Sequence, residues 1–189
     1  MAVAQSPAPD WHFLLPTLPH GSVLCLGGAG PRASIGPPLS PKDGAEGGGD
    51  PLAQYDLVAL LHPAPRWALN PAAAATLARI VRPGGTLYLE VPRRIGRTPT
   101  GMVRTLRRSG FSSLRCYWPR QGFERPDLWL ELGHRRVNAY YARQMVHTGS
   151  LRRRAVGAFL RVAIAGGVFE ALVPGYAVVA VRAGDDDAR

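Results

Sequence analysis

The chain has 189 residues, 46% of them hydrophobic, with a formal net charge of +10 and a pI near 10.7. That length suits one α/β domain with its own core and excludes two ordinary ones. The charge raises polyanions as partners, but Lys42 is the only lysine and Ala, Gly, Pro and Arg abound throughout, a bias that GC-rich coding produces unaided.

Basic residues are nevertheless concentrated, since positions 79 to 161 hold eighteen Arg against Glu90, Glu124, Asp127 and Glu131. Cys25 and Cys116 sit in apolar runs without a CxxC partner. No metal or disulfide framework is expected from them, and they suit a reducing compartment. The opening residues show no basic region followed by a long apolar run, so neither a signal peptide nor a transmembrane segment is expected and a cytoplasmic location is the default.

In chain order, residues 1–20 are rich in Pro and Ala and read as a loosely ordered segment, with Trp11, Phe13, Leu14 and Leu15 packed on the domain edge. Gly21-Ser22 leads into the apolar strand Val23–Leu26, which runs into the glycine-rich turn Gly27-Gly28-Ala29-Gly30-Pro31. Glycine there lets the backbone approach a ligand with no side chain in the way. The spacing gives no GxGxxG fingerprint and no P-loop lysine. Residues 32–51 combine Ser, Pro, Gly, Lys and Asp with almost no apolar periodicity, the composition of a flexible loop. Tyr55 to Leu61 is the next buried strand. His62-Pro63-Ala64-Pro65-Arg66-Trp67 follows at the carboxyl edge, where α/β proteins place ligands, so His62 is a candidate base and Trp67 a candidate stacking surface. The competing reading is a proline-stiffened loop with Trp67 packed on the next helix.

Asn70 caps a helix with Pro71 at its first position and Ala72–Ala75, Leu77, Ala78, Ile80 and Val81 as helix formers. Pro83-Gly84-Gly85 stops it, because proline cannot continue the hydrogen bonding and glycine allows positive φ. Thr86 to Val91 is then a core strand containing Tyr88. A basic loop runs from Pro92 to Pro99, and a helix from Thr100 to Ser109 ends at Gly110. Phe111 to Trp118 alternates as a strand. Residues 119–135 read as an inserted loop, a lid or partner surface, carrying Phe123 and Trp129. A helix follows over Val137–His147. The basic run Leu151–Arg154 precedes an apolar stretch to Val173, broken at Arg161, Gly166-Gly167 and Glu170, which reads as a core or interface helix; anchoring at an anionic membrane surface is the other reading. Pro174-Gly175 turns into the strand Tyr176–Val181. Residues 21–183 form the single domain, and 184–189 a disordered tail.

Arg79-Ile80-Val81-Arg82-Pro83-Gly84-Gly85 resembles the R-x-L-(K/R)-P-G-G phrase before the fifth strand of class I S-adenosylmethionine-dependent methyltransferases. The first strand with its glycine loop, the Tyr55-Asp56-Leu57-Val58 opening of the next strand, and Leu106–Phe111 before the sixth are similar to the same family. The resemblance implies an α/β Rossmann-like fold with a mostly parallel sheet and an antiparallel closing strand. It also implies that S-adenosylmethionine would meet Gly27, Gly28, Ala29 and Gly30, with Asp56 a further cofactor candidate and His62 or Tyr88 handling protons.

The departures from that pattern are specific. Cys25 stands where the family strand usually carries an acidic residue, and the second and third loop glycines fall at Ala29 and Pro31. Between its first and fourth strands the family places two further strands, one ending in the carboxylate that holds the ribose. The stretch from 28 to 54 is too short and too rich in Gly and Pro for them, so the sheet is expected to be reduced, with the second and third strands lost. Asp43, Glu46 and Asp50 lie in that loop, where ordering on binding costs about 1–2 kcal/mol per fixed residue. The expectation is a catalytically degenerate methyltransferase-like protein acting as an accessory or partner subunit, contacting a protein or a second copy through 119–135 and 151–173. The alternatives are an active small methyltransferase on a small-molecule or peptide acceptor, and an Arg-rich nucleic-acid-binding protein.

Overall fold

Every residue from Asp56 to Leu61 is buried, the mark of a strand covered on both faces. The computed structural model describes residues 11–16, 21–27, 54–61, 71–92, 98–123, 126–148 and 150–184. A 3-10 turn at Trp11–Leu14 precedes β1 (Val23–Gly27), β2 (Tyr55–Leu61), α1 (Pro71–Ile80), β3 (Val81–Pro92), α2 (Pro99–Arg108), β4 (Phe111–Arg120), β5 (Leu128–Glu131), α3 (Arg135–Thr148), α4 (Leu151–Ala165), α5 (Phe169–Leu172) and β6 (Gly175–Arg182). The strands form one mixed sheet in the order β1-β2-β3-β6-β4-β5.

Three expectations need correction. Among the described residues the sheet is not mostly parallel by its pairings, because β1/β2 and β2/β3 run parallel while β3/β6, β4/β6 and β4/β5 are antiparallel. The antiparallel strand does not close an edge. β6 lies inside the sheet, and the edge belongs to β5, which folds out of the 119–135 segment read as a loop. The apolar stretch 151–173 is not one helix, since α4 stops at Ala165 and the chain turns through Gly167 at φ 71 before α5. The loss of two strands concerns 28–53, which lies outside the described residues, as do the 32–51 loop and positions 185–189.

Strand alternation sorts the core into two layers. Val58, Leu60, Leu87, Leu89, Val178 and Ala180 face one side, where Leu77 of α1, Met102 and Leu106 of α2, Ala142 of α3 and Leu160 of α4 cover them. Leu57, Ala59, Leu61, Tyr88, Ala177 and Val179 face the other. Trp11, Leu14, Leu15, Tyr117 and Phe123 pack there, and Trp11 is fully buried. The aromatic cluster of the N-terminal segment is therefore part of a sheet face, deeper than the domain edge.

Two irregularities set the register. Tyr55 pairs with Val81 and Leu57 with Thr86, so Arg82–Gly85 loop out of β3. Gly84 sits at φ 75, and a Cβ on Gly85 would lie 2.9 Å from the Arg82 carbonyl oxygen and 3.0 Å from that of Tyr55. The two glycines thus do different jobs, one conformational and one spatial. In β4 the pairing jumps between Ser112↔Val181 and Arg115↔Val179, with Ser113 at φ 46. This bulge resets the alternation, so that Phe111 and then Leu114, Cys116 and Trp118 all meet the helical layer.

Candidate functional site

The parallel strands β1, β2 and β3 end at Gly27, Leu61 and Pro92 on one edge of the sheet. Antiparallel β6 begins there at Gly175, and β4 ends there at Arg120. Ligands of open α/β sheets bind outside such carboxyl ends. A cleft of about 310 Å³ opens at this edge, lined by Pro92, Pro119, Gln121, Gly122, Phe123 and Pro174 with Gly175. Three prolines stiffen its walls. A Cβ on Gly175 would stand 3.2 Å from the Phe123 ring, so the missing side chain lets that ring close the base. The size is at the lower end for small-molecule sites, enough for a compact or flat group.

Behind the cleft lies a polar row that alternation places on the sheet face away from the helices. Register pairs Glu90 with Ala177, Ala177 with Tyr117, and Tyr117 with Glu131. Glu90 and Tyr88 are both fully buried, and the Tyr88 hydroxyl donates to Glu90 Oε1 at 2.9 Å. Trp11 stacks on the Tyr88 ring at 4.2 Å between centroids, 22° from parallel. Burial pushes the half-buried Cys25 thiol up, and the Glu90 charge adds to the shift. Burial likewise raises the Tyr117 phenol, against a hydrogen bond from Arg115 that lowers it. Burial, with Glu90 beside Cys25 and Glu131 beside Tyr117, therefore keeps both groups neutral at ordinary pH.

The sequence-predicted residues separate in space. Tyr88 reaches the row but is sealed under Trp11, so a proton-handling role at an open site does not suit it. Gly27 ends β1 at the carboxyl edge. Asp56, read as a cofactor candidate, lies at the opposite, amino end of the sheet. It accepts from the Ser22 backbone N–H at 2.6 Å and from the Ser22 hydroxyl at 3.2 Å, and pairs with Arg82 of the β3 bulge. A Cβ on Gly21 would collide with that carboxylate. Asp56 is a joint between the approach to β1 and the bulge. His62, Gly28, Ala29, Gly30 and Trp67 lie outside the described residues.

Glu90 belongs to no motif in the sequence, although a lone acid near the carboxyl end of an apolar run is a readable signal. Arg120 has no motif around it either. It grips Asp127 through two nitrogens, with Nε to Oδ1 at 2.7 Å, donates to the Tyr141 hydroxyl at 2.8 Å, and is joined by Gln121 Nε2 to Asp127 at 2.8 Å. This ties the β4–β5 turn to α3. The Arg120 guanidinium holds the Asp127 carboxyl below the usual carboxylate range. Among the described residues, no three His, Cys, Asp or Glu side chains cluster as metal ligands, and no helix is long and apolar enough to cross a membrane.

Of the loop expected to meet S-adenosylmethionine, Gly27 is described and Gly28, Ala29 and Gly30 are not. The ends of β1 and β2 offer Gly27 and Leu61, and the β1 position that carries an acid in the resembling enzymes holds the neutral thiol of Cys25. No protein-family model matches the chain, and no curated protein matches it. Solved structures similar to it include the Haemonchus contortus phosphoethanolamine N-methyltransferase 2 bound to phosphomonomethylethanolamine and S-adenosylhomocysteine, 10% identical over 69% of this chain and 34% of that one, TM-score 0.34. A sarcosine dimethylglycine methyltransferase homologue from Galdieria sulphuraria is 14% identical over 70% of this chain and 54% of that one, TM-score 0.30. The [4+2]-cyclase SpnF is 21% identical over 72% and 52%, TM-score 0.29. The chain spans about a third to a half of the length of these proteins, and likeness at this level assigns no function.

Proposed function

We propose that this chain is a methyltransferase-like domain that serves as an accessory or partner subunit and does not itself transfer methyl groups. The likeness rests on the helix, Arg82-Pro83-Gly84-Gly85 bulge and buried β3 in succession, together with the antiparallel β6 beside them. The observation that carries the accessory reading is Cys25. A thiol kept neutral by burial and by Glu90 stands where a carboxylate would orient the donors of a cofactor loop. The edge strand β5, anchored through Arg120 and Asp127, offers backbone groups to a partner.

Thermal unfolding of the full chain with and without millimolar S-adenosylmethionine tests this. No shift is expected. Ligand at a hundred times its dissociation constant adds about 2.7 kcal/mol, a rise of about 5–11 °C for a chain of this size, and that result would overturn the reading. A second reading, an active methyltransferase on a compact acceptor, is favoured by the cleft at Pro92, Pro119 and Phe123 and is the one such a rise would install.

A further inference from the structure

The helical layer carries a charge and a surface that the core explains only in part, as where Arg135 donates to the Ile164 and Ala165 carbonyl oxygens at the end of α4. Helices α1 to α4 contain eleven Arg and no Asp or Glu, and all eleven arginines are solvent-exposed: Arg79 on α1, three on α2, three on α3 and four on α4. Glu170 on α5, a carboxylate beside this layer, accepts from the Thr100 hydroxyl at 3.2 Å. All four helices cover the same face of the sheet. Their outer surface is thus one broad basic face.

On α4 this face also has an apolar ridge. Gly157, Leu160, Ala163 and Ile164 form the buried side of the helix, and Gly157 brings it so near α3 that a Cβ would meet the Ala142 carbonyl oxygen at 2.8 Å. Leu151, Ala155, Phe159 and Val162 recur at helical spacing on the opposite side, with Leu151 85%, Phe159 58% and Val162 73% exposed. By the same periodicity Arg154 and Arg161 flank the ridge on one side and Arg152 on the other. Tyr140, 64% exposed on α3, adds an amphipathic ring to the same layer.

We infer that this face docks on an anionic lipid bilayer, with Leu151, Phe159 and Val162 inserted at the headgroup level and the flanking arginines on the phosphates. A second apolar stripe bordered by arginines on both sides is the arrangement of an interfacial helix, in which long cationic side chains reach the headgroups while their neighbours enter the acyl boundary. The breadth of the charge across four helices matches an extended anionic surface better than one acidic peptide in one groove. Leu151 and Val162, the most exposed tips of the ridge, are aliphatic and give a base nothing to stack on, which favours a bilayer over nucleic acid. The inference is independent of whether the β1 edge binds a cofactor, and it leaves β5 to a protein partner.

Flotation of the full chain with vesicles tests it, using phosphatidylcholine alone and equal parts phosphatidylcholine and phosphatidylglycerol. The parent should float with the anionic vesicles and stay behind with the neutral ones. Arg152→Gln, Arg154→Gln and Arg161→Gln together should weaken partitioning about a hundredfold, from about 1 kcal/mol or fivefold per arginine. Leu151→Asn, Phe159→Ser and Val162→Asn together should weaken it by about tenfold or more. These side chains are exposed, so unchanged circular-dichroism melts confirm that both triples fold. Failure to float with anionic vesicles overturns the inference. So does an apolar triple that floats like the parent, which would mark a general polyanion binder, and so does a parent dimer that the apolar triple dissociates without any vesicle binding, which would give the ridge to a second copy.

Discussion

Replacing Trp11 with alanine measures how firmly the N-terminal turn belongs to the domain. The indole is fully buried against Tyr88. Truncating a buried Trp ordinarily costs about 3–5 kcal/mol, through lost transfer energy and the cavity left behind. Trp11 Nε1, however, has no hydrogen-bond partner among the described residues, and an orphaned buried donor already subtracts about 1–3 kcal/mol from the native state. Taking the middle of each range, the net expectation for Trp11→Ala is about 2 kcal/mol, a fall in Tm of about 4–8 °C. Trp11→Phe, which keeps a ring and removes the orphan, should stay within about 1 kcal/mol of the parent. Urea unfolding of the full chain followed by circular dichroism reads both, as midpoints at constant slope. If Trp11→Ala unfolds within about 0.5 kcal/mol of the parent, the second core layer does not need the turn and the packing argument fails.

Three further outcomes follow from local geometry. Gly157→Ala should destabilise by about 1–3 kcal/mol in urea titration despite the better helix propensity of alanine, because the Ala142 carbonyl oxygen at 2.8 Å and the Met145 Cβ at 3.0 Å cannot yield as a side-chain tip would. Ser113→Gly should be neutral or stabilising by up to about 1 kcal/mol and Ser113→Val destabilising, since φ 46 suits glycine and strains a β-branched residue; equal midpoints for the two would refute the bulge. Cys116, pushed up to about 12 by burial and then by Glu170 and Glu131, should resist iodoacetamide at pH 8 until the chain unfolds. Its folded pKa lies above the unfolded value near 9.0, so its contribution to stability is whole below about 9 and is lost as pH rises toward 12, readable as a falling urea midpoint across that window.

The helices and central strands were legible because their signals are local. Asn70-Pro71 with alanines and the continuous apolar runs of β2, β3 and β6 each declare their state within a few residues, whereas the helix ends at Ile80 and Pro83-Gly84-Gly85, read as its stop, belongs to a bulge of β3, which already begins at Val81. What stayed hidden depends on contacts distant in sequence. Nothing near Trp11 announces that it covers Tyr88, because a short aromatic cluster among prolines reads alike whether packed or loose. The Ser113 bulge is invisible because serine gives no sign of φ 46, and yet it decides which side Cys116 faces. β5 is four residues between charges, too brief for alternation to register, and its strand state comes from pairing with β4. Asp56 looked like a site residue because of the phrase around it; its partners Ser22 and Arg82 show a structural brace.

The interior position of β6 bears on the order in which this protein can assemble during synthesis. β1, β2 and β3 can associate as soon as they leave the ribosome, and β4 with β5 can form a hairpin of its own, but the two pieces share no ladder until a strand encoded after both slides between them. Until then the inner edges of β3 and β4 stand unsatisfied, each a template for a neighbouring nascent chain. A stop codon before Gly175 would therefore remove the seam of the molecule and leave two sticky halves.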